Sequence, residues 1–180
     1  GCLIQNYFDH DSSGGFADYR CGKLGYDGHD GIDLRLKNLA AMYSGVAVRA
    51  AAAGKVRAVR DEMPDINIRK PGRLQAIAGR EAGNSVAIRH GVDWETQYSH
   101  LKRGSIRVEP GDPVEAGQVL GLVGLSGMTE FPHLHFSVRY LGDPVDPFVG
   151  HGPAPSCGSE TPSLWTAEAR RQLSYRATGI

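Results

Sequence analysis

The chain contains two pairs of residues whose types and spacing suit metal binding. His133 and His135 are separated by one residue, and His29 precedes Asp33 by four positions. In a strand, residues i and i+2 project from the same face with their backbones roughly 7 Å apart. The side chains of His133 and His135 therefore address one site, while Leu134 between them points to the opposite face.

His29 and Asp33 need a bent backbone to reach one metal ion. Gly28 and Gly31 weaken any helix in this segment, and in an extended strand His29 and Asp33 would lie roughly 13 Å apart. We therefore predict a glycine-assisted bend that brings the imidazole and the carboxylate together. With one more imidazole they would form a three-ligand site that leaves a position for water, as in catalytic zinc. Nitrogen and oxygen ligands favour zinc, although ligand type alone leaves iron and copper open.

The other histidines differ in what they suggest. The chain has seven in all. His100 stands alone at the end of a predicted strand. It is a candidate for the metal site only in combination with the two pairs. A lone histidine is more often structural than catalytic, and we expect no catalytic role for His10, His90 or His151.

Glycine and proline usage predicts an all-β domain. Twenty-four glycines and ten prolines are spread along the 180 residues, which is typical of short strands joined by tight turns. Residues 61–79 contain two prolines and several charges, and we predict a surface insertion at the edge of a binding cleft. Residues 164–175 have the composition of a short C-terminal helix. Strands are predicted in the stretches 46–50, 54–59, 85–98 with a turn at 90–93, and 110–124.

Length and charge limit the organisation and the partners. A chain of 180 residues that is 41% hydrophobic can bury one core. We expect an irregular N-terminal arm (1–28), one central domain (29–150), and a linker with a helix (151–180). Twenty basic and twenty acidic residues cancel, so we expect no nucleic-acid partner. No stretch approaches the ~20 consecutive apolar residues of a spanning helix, so we expect no transmembrane segment.

The three cysteines suggest a disulfide bond. Cys2, Cys21 and Cys157 lack the paired spacing of a structural zinc site or a redox motif. We predict a disulfide bond between Cys2 and Cys21 that constrains the N-terminal arm and leaves Cys157 outside the pair. Three free thiols, or a lipid on Cys2 of an exported lipoprotein, are the alternatives.

Six motifs, in this order along the chain, resemble the lysostaphin/LytM-type zinc metallopeptidases, which cut the peptides of peptidoglycan. Each motif alone is weak, but together they span about residues 22–150 in the family's order. They are His29-x-Gly31-x-Asp33, Gly83-Asn84-x-Val86-x-Ile88-x-His90-Gly91, Tyr98-x-His100-Leu101, Gly117-Gln118-x-x-Gly121-x-x-Gly124, Pro132-His133-Leu134-His135-Phe136 and Pro144-Val145-Asp146-Pro147.

The resemblance assigns roles to the five metal-site candidates. It implies that His29, Asp33 and His135 hold one Zn²⁺ ion, while His100 and His133 are catalytic without being primary ligands. Zinc in such a site activates water and polarises the scissile carbonyl. Histidine is suited to move the proton, and which of His100 and His133 is the base stays open.

The resemblance also implies an architecture. We expect an antiparallel β-sandwich or barrel-like core of the duplicated hybrid motif type, with loop insertions and the metal in a groove. The insertion at residues 61–79 would form one wall of that groove. The family has a tyrosine near the oxyanion, for which Tyr19 and Tyr26 are candidates by their proximity to His29.

The implied activity is hydrolysis of peptide cross-links in bacterial peptidoglycan by an exported, periplasmic or extracellular, zinc endopeptidase. Disulfide use and the absence of Lys-rich wall-binding repeats favour the periplasm and cross-links between D-Ala and a diamino acid. The resemblance leaves a regulatory protein partner open.

Two readings from other classes compete with this one. A metal-free domain of the same fold that activates another hydrolase would lose metal ligands, whereas all five His and Asp positions are kept here. A lipoyl-like carrier needs a modifiable lysine at a tight hairpin tip, and residues 115–118 offer none.

Overall fold

The structure, a computed structural model, describes residues 3–152, 156–159 and 162–175. These residues form ten strands and three short helices. The strands are β1 (Leu3–Asn6), β2 (Ile32–Arg35), β3 (Ala47–Arg49), β4 (Gly54–Arg60), β5 (Asn84–His90), β6 (Trp94–Leu101), β7 (Pro113–Val114), β8 (Val119–Leu122), β9 (His133–Tyr140) and β10 (Asp143–Val145). The helices are α1 (Leu39–Ser44), α2 (Arg73–Ala76) and α3 (Ala167–Leu173).

Antiparallel pairing organises the strands into two sheets. The large sheet has the order β1-β2-β9-β6-β5-β4-β7, and β10 pairs with the second half of β9 beyond β2. Strands β3 and β8 form a separate pair. This confirms the expected antiparallel all-β architecture with a short C-terminal helix.

The main core lies on one face of the large sheet. Alternate residues of β6 and β9, among them Tyr98, Phe136 and Val138, pack in one buried cluster with Val48 of β3 and Leu120 of β8. Because successive strand residues point to opposite faces, the residues between them emerge on the other face. That second face is polar and carries the candidate site.

The N-terminal arm is less irregular than expected, since β1 extends the large sheet at its edge. The residues after β1 are held by a second, aromatic cluster. Tyr7 and Tyr19 pack there against Phe148, and Leu173 and Tyr175 of the C-terminal tail close over them. The described parts of the N-terminal arm and the C-terminal tail are therefore joined on one side of the domain.

The predicted bond between Cys2 and Cys21 is wrong, because Cys21 is bonded to Cys157. The aromatic cluster explains the pairing: it draws the tail onto the arm, and the Gly158 N–H donates to the Tyr19 carbonyl, with an N to O distance of 2.8 Å. Cys2 lies outside the described residues.

Two further details concern the strands and helices. His90, expected in a turn, ends β5 instead, because it pairs with Trp94 of β6. Its ring nitrogens contact the Ala53 carbonyl at 2.7 Å and the Thr96 hydroxyl at 2.8 Å. Among the described residues, no helix has the length and apolar character needed to cross a membrane.

Candidate metal centre

Strand register brings Asp33 and His135 together. Asp33 of β2 pairs directly with His135 of β9, and directly opposed residues of an antiparallel pair project from the same face. The distance between Asp33 Oδ1 and His135 Nδ1 is 3.0 Å. The two residues are 102 positions apart in sequence, so only the sheet determines that they meet.

His29 joins them through the predicted bend. Its Nε2 lies 3.2 Å from Asp33 Oδ1 and 3.1 Å from His135 Nδ1. Gly28 adopts φ = +74° before the bend, a conformation that favours glycine. Gly31 is needed for a different reason, since a Cβ at this position would lie only 2.8 Å from the His135 ring. The predicted proximity of the imidazole and the carboxylate is confirmed.

Hydrogen bonds on the outer side of each ring determine which nitrogen faces the centre. His29 Nδ1 lies 2.7 Å from the Tyr7 carbonyl, and His135 Nε2 lies 3.1 Å from Asp30 Oδ1. A carbonyl and a carboxylate only accept, so each of these nitrogens carries a proton. In the neutral rings, His29 Nε2 and His135 Nδ1 therefore present lone pairs to Asp33 Oδ1.

This triangle of donor atoms fits a divalent metal ion. Ligand atoms at about 2.0–2.1 Å from a tetrahedral zinc lie about 3.3 Å from one another, close to the observed edges of 3.0–3.2 Å. Two imidazoles and one carboxylate also match the ligand types of catalytic zinc. The three residues form the one group of this kind within the described ranges.

The charges at the centre favour a cation. Burial alone would raise the pKa of Asp33, but contacts with the His135 and His29 rings hold it far below its usual value. Burial also disfavours the charged form of His135, yet its hydrogen bonds to Asp30 and Asp33 raise its pKa to about 9. A metal bound here would have to displace the His135 proton, so metal affinity should fall as the pH decreases.

A β-bulge directs His100 to the same face. Ser99 and His100 of β6 together oppose the single residue Ser85 of β5, and His100 adopts φ = +63°. This left-handed conformation costs a non-glycine residue about 1–3 kcal/mol, and bulges often re-aim a side chain next to an active site. Ser99 and His100 consequently both line the groove, whereas strict alternation would turn His100 towards the core.

The loop between β8 and β9, residues 123–132, fixes both of the remaining histidines. His100 Nδ1 lies 2.8 Å from the Ser126 carbonyl, and His133 Nδ1 lies 3.0 Å from the Phe131 carbonyl. Each Nδ1 therefore donates its proton to the loop, which leaves Nε2 as the lone-pair atom of the neutral ring. The Thr129 hydroxyl, also 3.0 Å from His133 Nδ1, further restrains that ring.

The two rings lie side by side near the metal-ligand candidates. Their centroids are 4.6 Å apart, and His133 Nε2 is 3.5 Å from Asp33 Oδ1. Burial and the neighbouring His133 and His135 rings lower the pKa of His100 to about 3. Burial likewise lowers the pKa of His133. Both rings are thus neutral near neutral pH and able to accept a proton.

The centre opens into a groove of about 420 Å³. Its floor carries polar side chains of β6 and β9, including Gln97 and Arg139, and one wall contains Glu81, Ala82 and Met128. The insertion at residues 61–79 was expected to be that wall. Instead it packs behind the β8–β9 loop, where the Ile68 N–H donates to the Thr129 carbonyl at an N to O distance of 3.0 Å.

The two tyrosine candidates are separated by the fold. Tyr26 lines the groove, with its ring centroid 4.5 Å from that of His29. Tyr19 is buried in the aromatic cluster, stacked on Phe148. Of the two, Tyr26 alone is near the site.

Sequence reasoning missed four residues that support the site. Asp30, inside the first motif, could have been suspected because an acidic residue beside a metal-binding histidine often orients its ring. Asn6, the Tyr7 carbonyl and Thr129 gave no local signal. Their contacts span sequence separations from 4 residues, for Thr129 and His133, to 27 residues, for Asn6 and Asp33.

The three histidines with no expected catalytic role have other partners. His10 Nε2 contacts buried Asp146 at 2.7 Å, and the His151 ring packs on Tyr140. His90 is held by the contacts described above.

Together, the fold and the site define an antiparallel β protein with a candidate three-residue metal centre in a polar groove. The profile of peptidase family M23 matches residues 27–147. The chain belongs to this family, which confirms the resemblance inferred from the six motifs.

Three similar proteins illustrate the relationship. The DD-carboxypeptidase/endopeptidase Mpg of Neisseria meningitidis is 31% identical over 141 residues, covering 77% of this chain and 30% of the relative. The peptidoglycan DD-endopeptidase ShyA of Vibrio cholerae is 40% identical over 75 residues, covering 42% of this chain and 17% of the relative. A crystal structure of a zinc-containing peptidase from Vibrio cholerae superposes with a TM-score of 0.50 at 28% identity, covering 81% of this chain and 39% of that one. The match with this chain thus covers less than a third of the length of Mpg and of ShyA.

Proposed function

We propose that the protein is a zinc-dependent endopeptidase that hydrolyses peptide cross-links of bacterial peptidoglycan. One observation carries the proposal: three converging donor atoms, 3.0–3.2 Å apart, face a groove in which two further histidines are held in a defined orientation. In this proposal His29, Asp33 and His135 bind one zinc ion. His100 and His133 are the catalytic residues.

Zinc bound by these three residues would supply a Lewis acid and an activated water. The protein supplies the proton transfer and the orientation. The β8–β9 loop restrains His100 and His133 at Nδ1, so Nε2 is the ring atom of each that can take part in proton transfer at the reacting groups. One ring can take the proton of the attacking water at Nε2. The other ring would have to gain a proton at Nε2 first, and it could then stabilise the oxyanion or protonate the leaving amine.

Family membership and the names of the relatives support a proposal for the substrate class. We propose the cross-link between D-Ala and a diamino acid, because ShyA is named as a peptidoglycan DD-endopeptidase and Mpg as a DD-carboxypeptidase/endopeptidase. Such a substrate lies outside the cytoplasm, so we propose a periplasmic or extracellular protein, consistent with its disulfide bond. We further propose residues 29–150 as the catalytic unit, with residues 1–28 and 151–180 as arm and tail.

Digestion of purified, cross-linked muropeptide dimers, followed by mass spectrometry, tests the proposal. The protein should cleave dimers joined through D-Ala and a diamino acid. A chelator should stop cleavage and added zinc should restore it. Glycine-bridged dimers are the comparison substrate, and their preferential cleavage would contradict the proposed bond.

Variants test the roles of individual residues. His100→Ala and His133→Ala should each lower the cleavage rate by about 10²–10⁴-fold while one zinc stays bound, and the two losses should not add fully. Asp33→Ala should lose the metal. His90→Ala is the matched control and should affect stability only. A His133→Ala protein that cleaves normally, or that loses zinc as completely as Asp33→Ala, would refute this division of roles.

A further inference from the structure

The arm strand β1 places an amide beside the metal centre. Asn6 pairs directly with Asp33 across β1 and β2, just as Asp33 pairs with His135 across β2 and β9. A bulge at Gln5 shifts the register between Ile4 and Asn6. Asn6, Asp33 and His135 consequently form one row on the groove face of three neighbouring strands.

The two oxygens of Asp33 have different surroundings. Oδ1 faces the centre, within 3.0 Å of His135 Nδ1 and 3.2 Å of His29 Nε2. Oδ2 accepts a hydrogen bond from the Asn6 side-chain amide at 2.8 Å. An ionised carboxylate only accepts, so the atom of Asn6 that faces it must be the NH₂ nitrogen.

We propose that Asn6 is a positioning residue of the metal centre. Its amide occupies Asp33 Oδ2 and so makes Asp33 a ligand through Oδ1 alone, which preserves a site with three protein ligands and a position for water. This inference rests on the proposed zinc-binding function. It concerns a residue outside the part of the chain that matches the family, residues 27–147.

The arm is fixed firmly enough for this role. The residue after Asn6, Tyr7, accepts the His29 Nδ1 hydrogen bond with its carbonyl at 2.7 Å. Its buried ring packs on Tyr19 and Phe148, and its hydroxyl donates to the Leu173 carbonyl at 2.9 Å. The arm thus supports two of the three proposed ligands, Asp33 through a side chain and His29 through the backbone.

Zinc affinity gives a readout that is independent of cleavage. The zinc-loaded protein is titrated with a chromophoric chelator, and the dissociation constant is compared between the wild type, Asn6→Ala and Asn6→Asp. Loss of a partner behind a metal ligand typically weakens binding about 10–100-fold, and we expect this for Asn6→Ala. Asn6→Asp keeps the size but places a second carboxylate against Asp33, so its loss should be at least as large.

Cobalt substitution reports the coordination itself. If Asp33 becomes free to bind through both oxygens in Asn6→Ala, the coordination number rises and the visible absorption of the Co²⁺ protein should weaken. Ile4→Ala controls for weakened docking of β1, and Asn38→Ala, which removes the cap of α1, controls for loss of an asparagine elsewhere. Both should keep wild-type affinity.

Three outcomes would overturn the inference. They are wild-type affinity and spectrum in both Asn6 variants, an equal loss of affinity in Ile4→Ala, and an Asn6→Ala protein that fails to fold while Ile4→Ala folds and binds normally, because Asn6 would then serve folding. A wild-type protein that binds no zinc would contradict the proposed function instead.

Discussion

Replacing Gly31 by alanine tests whether close packing of β2 on β9 holds the metal centre. Gly31 lies between His29 and Asp33 in the sequence, and it is buried. An added Cβ would lie 2.5 Å from the Phe136 carbonyl oxygen and 2.8 Å from two atoms of the His135 ring. The φ of Gly31 lies outside the left-handed region, so the substitution acts through contact and not through backbone conformation.

The size of the effect follows from these distances. Since Cβ atoms essentially never approach another heavy atom within 3.0 Å, the added Cβ and the Phe136 carbonyl oxygen must separate by at least a further 0.5 Å. Functional sites need their groups held within about 0.5 Å. Overpacking of a buried position costs typically 1–3 kcal/mol. We expect a loss of stability of that order and a zinc affinity at least tenfold weaker, or about 1.4 kcal/mol.

Chemical denaturation and chelator competition measure the two quantities on the same protein. Gly28→Ala is the matched control: its φ of +74° penalises alanine, but nothing lies within 4 Å of the added Cβ. It should lose about 1–2 kcal/mol of stability and keep its His135 geometry and zinc affinity. A Gly31→Ala protein with wild-type stability and affinity would refute the argument that this contact positions His135.

Three other substitutions address the surroundings of the site. Cys21→Ser removes the disulfide between arm and tail and should lower the free energy of unfolding by roughly 2–5 kcal/mol in urea; an unchanged midpoint relative to the oxidised wild type would argue against the bond. Asp30→Asn removes the charge beside His135 Nε2 and should weaken zinc binding, measured by chelator competition, about 10–100-fold. A zinc affinity equal to that of the wild type would contradict this role of Asp30. His10→Ala leaves buried Asp146 without its ring partner and should cost about 1–3 kcal/mol in thermal or chemical unfolding, while a loss of zinc would show that its role is not structural.

The sequence by itself indicated the candidates for the metal ligands, because their relations are local or depend on a short period. The choice of His135 over His133 and His100 came from the family resemblance and stays a prediction. His133 and His135 had to share a face of any strand that contains them. The glycines around His29 made a bend the way to reach Asp33, and the bend is present, with 3.2 Å between Nε2 and Oδ1. Strand and turn signals also sufficed for an all-β fold, since short segments with β-branched residues at alternate positions are separated by glycines in residues 45–59 and 83–124.

Only the tertiary structure decided how the site is held. A one-residue bulge turns the His100 side chain from the core to the groove, and such a shift leaves no mark on a period of two. The Asn6 contact with Asp33 requires pairing of two strands whose sequences do not specify one another. The bond between Cys21 and Cys157 spans 136 residues and forms because aromatic packing brings the arm and the tail together. Each feature depends on which distant segments become neighbours in the fold. The types and spacing of the residues carry no information on those neighbours.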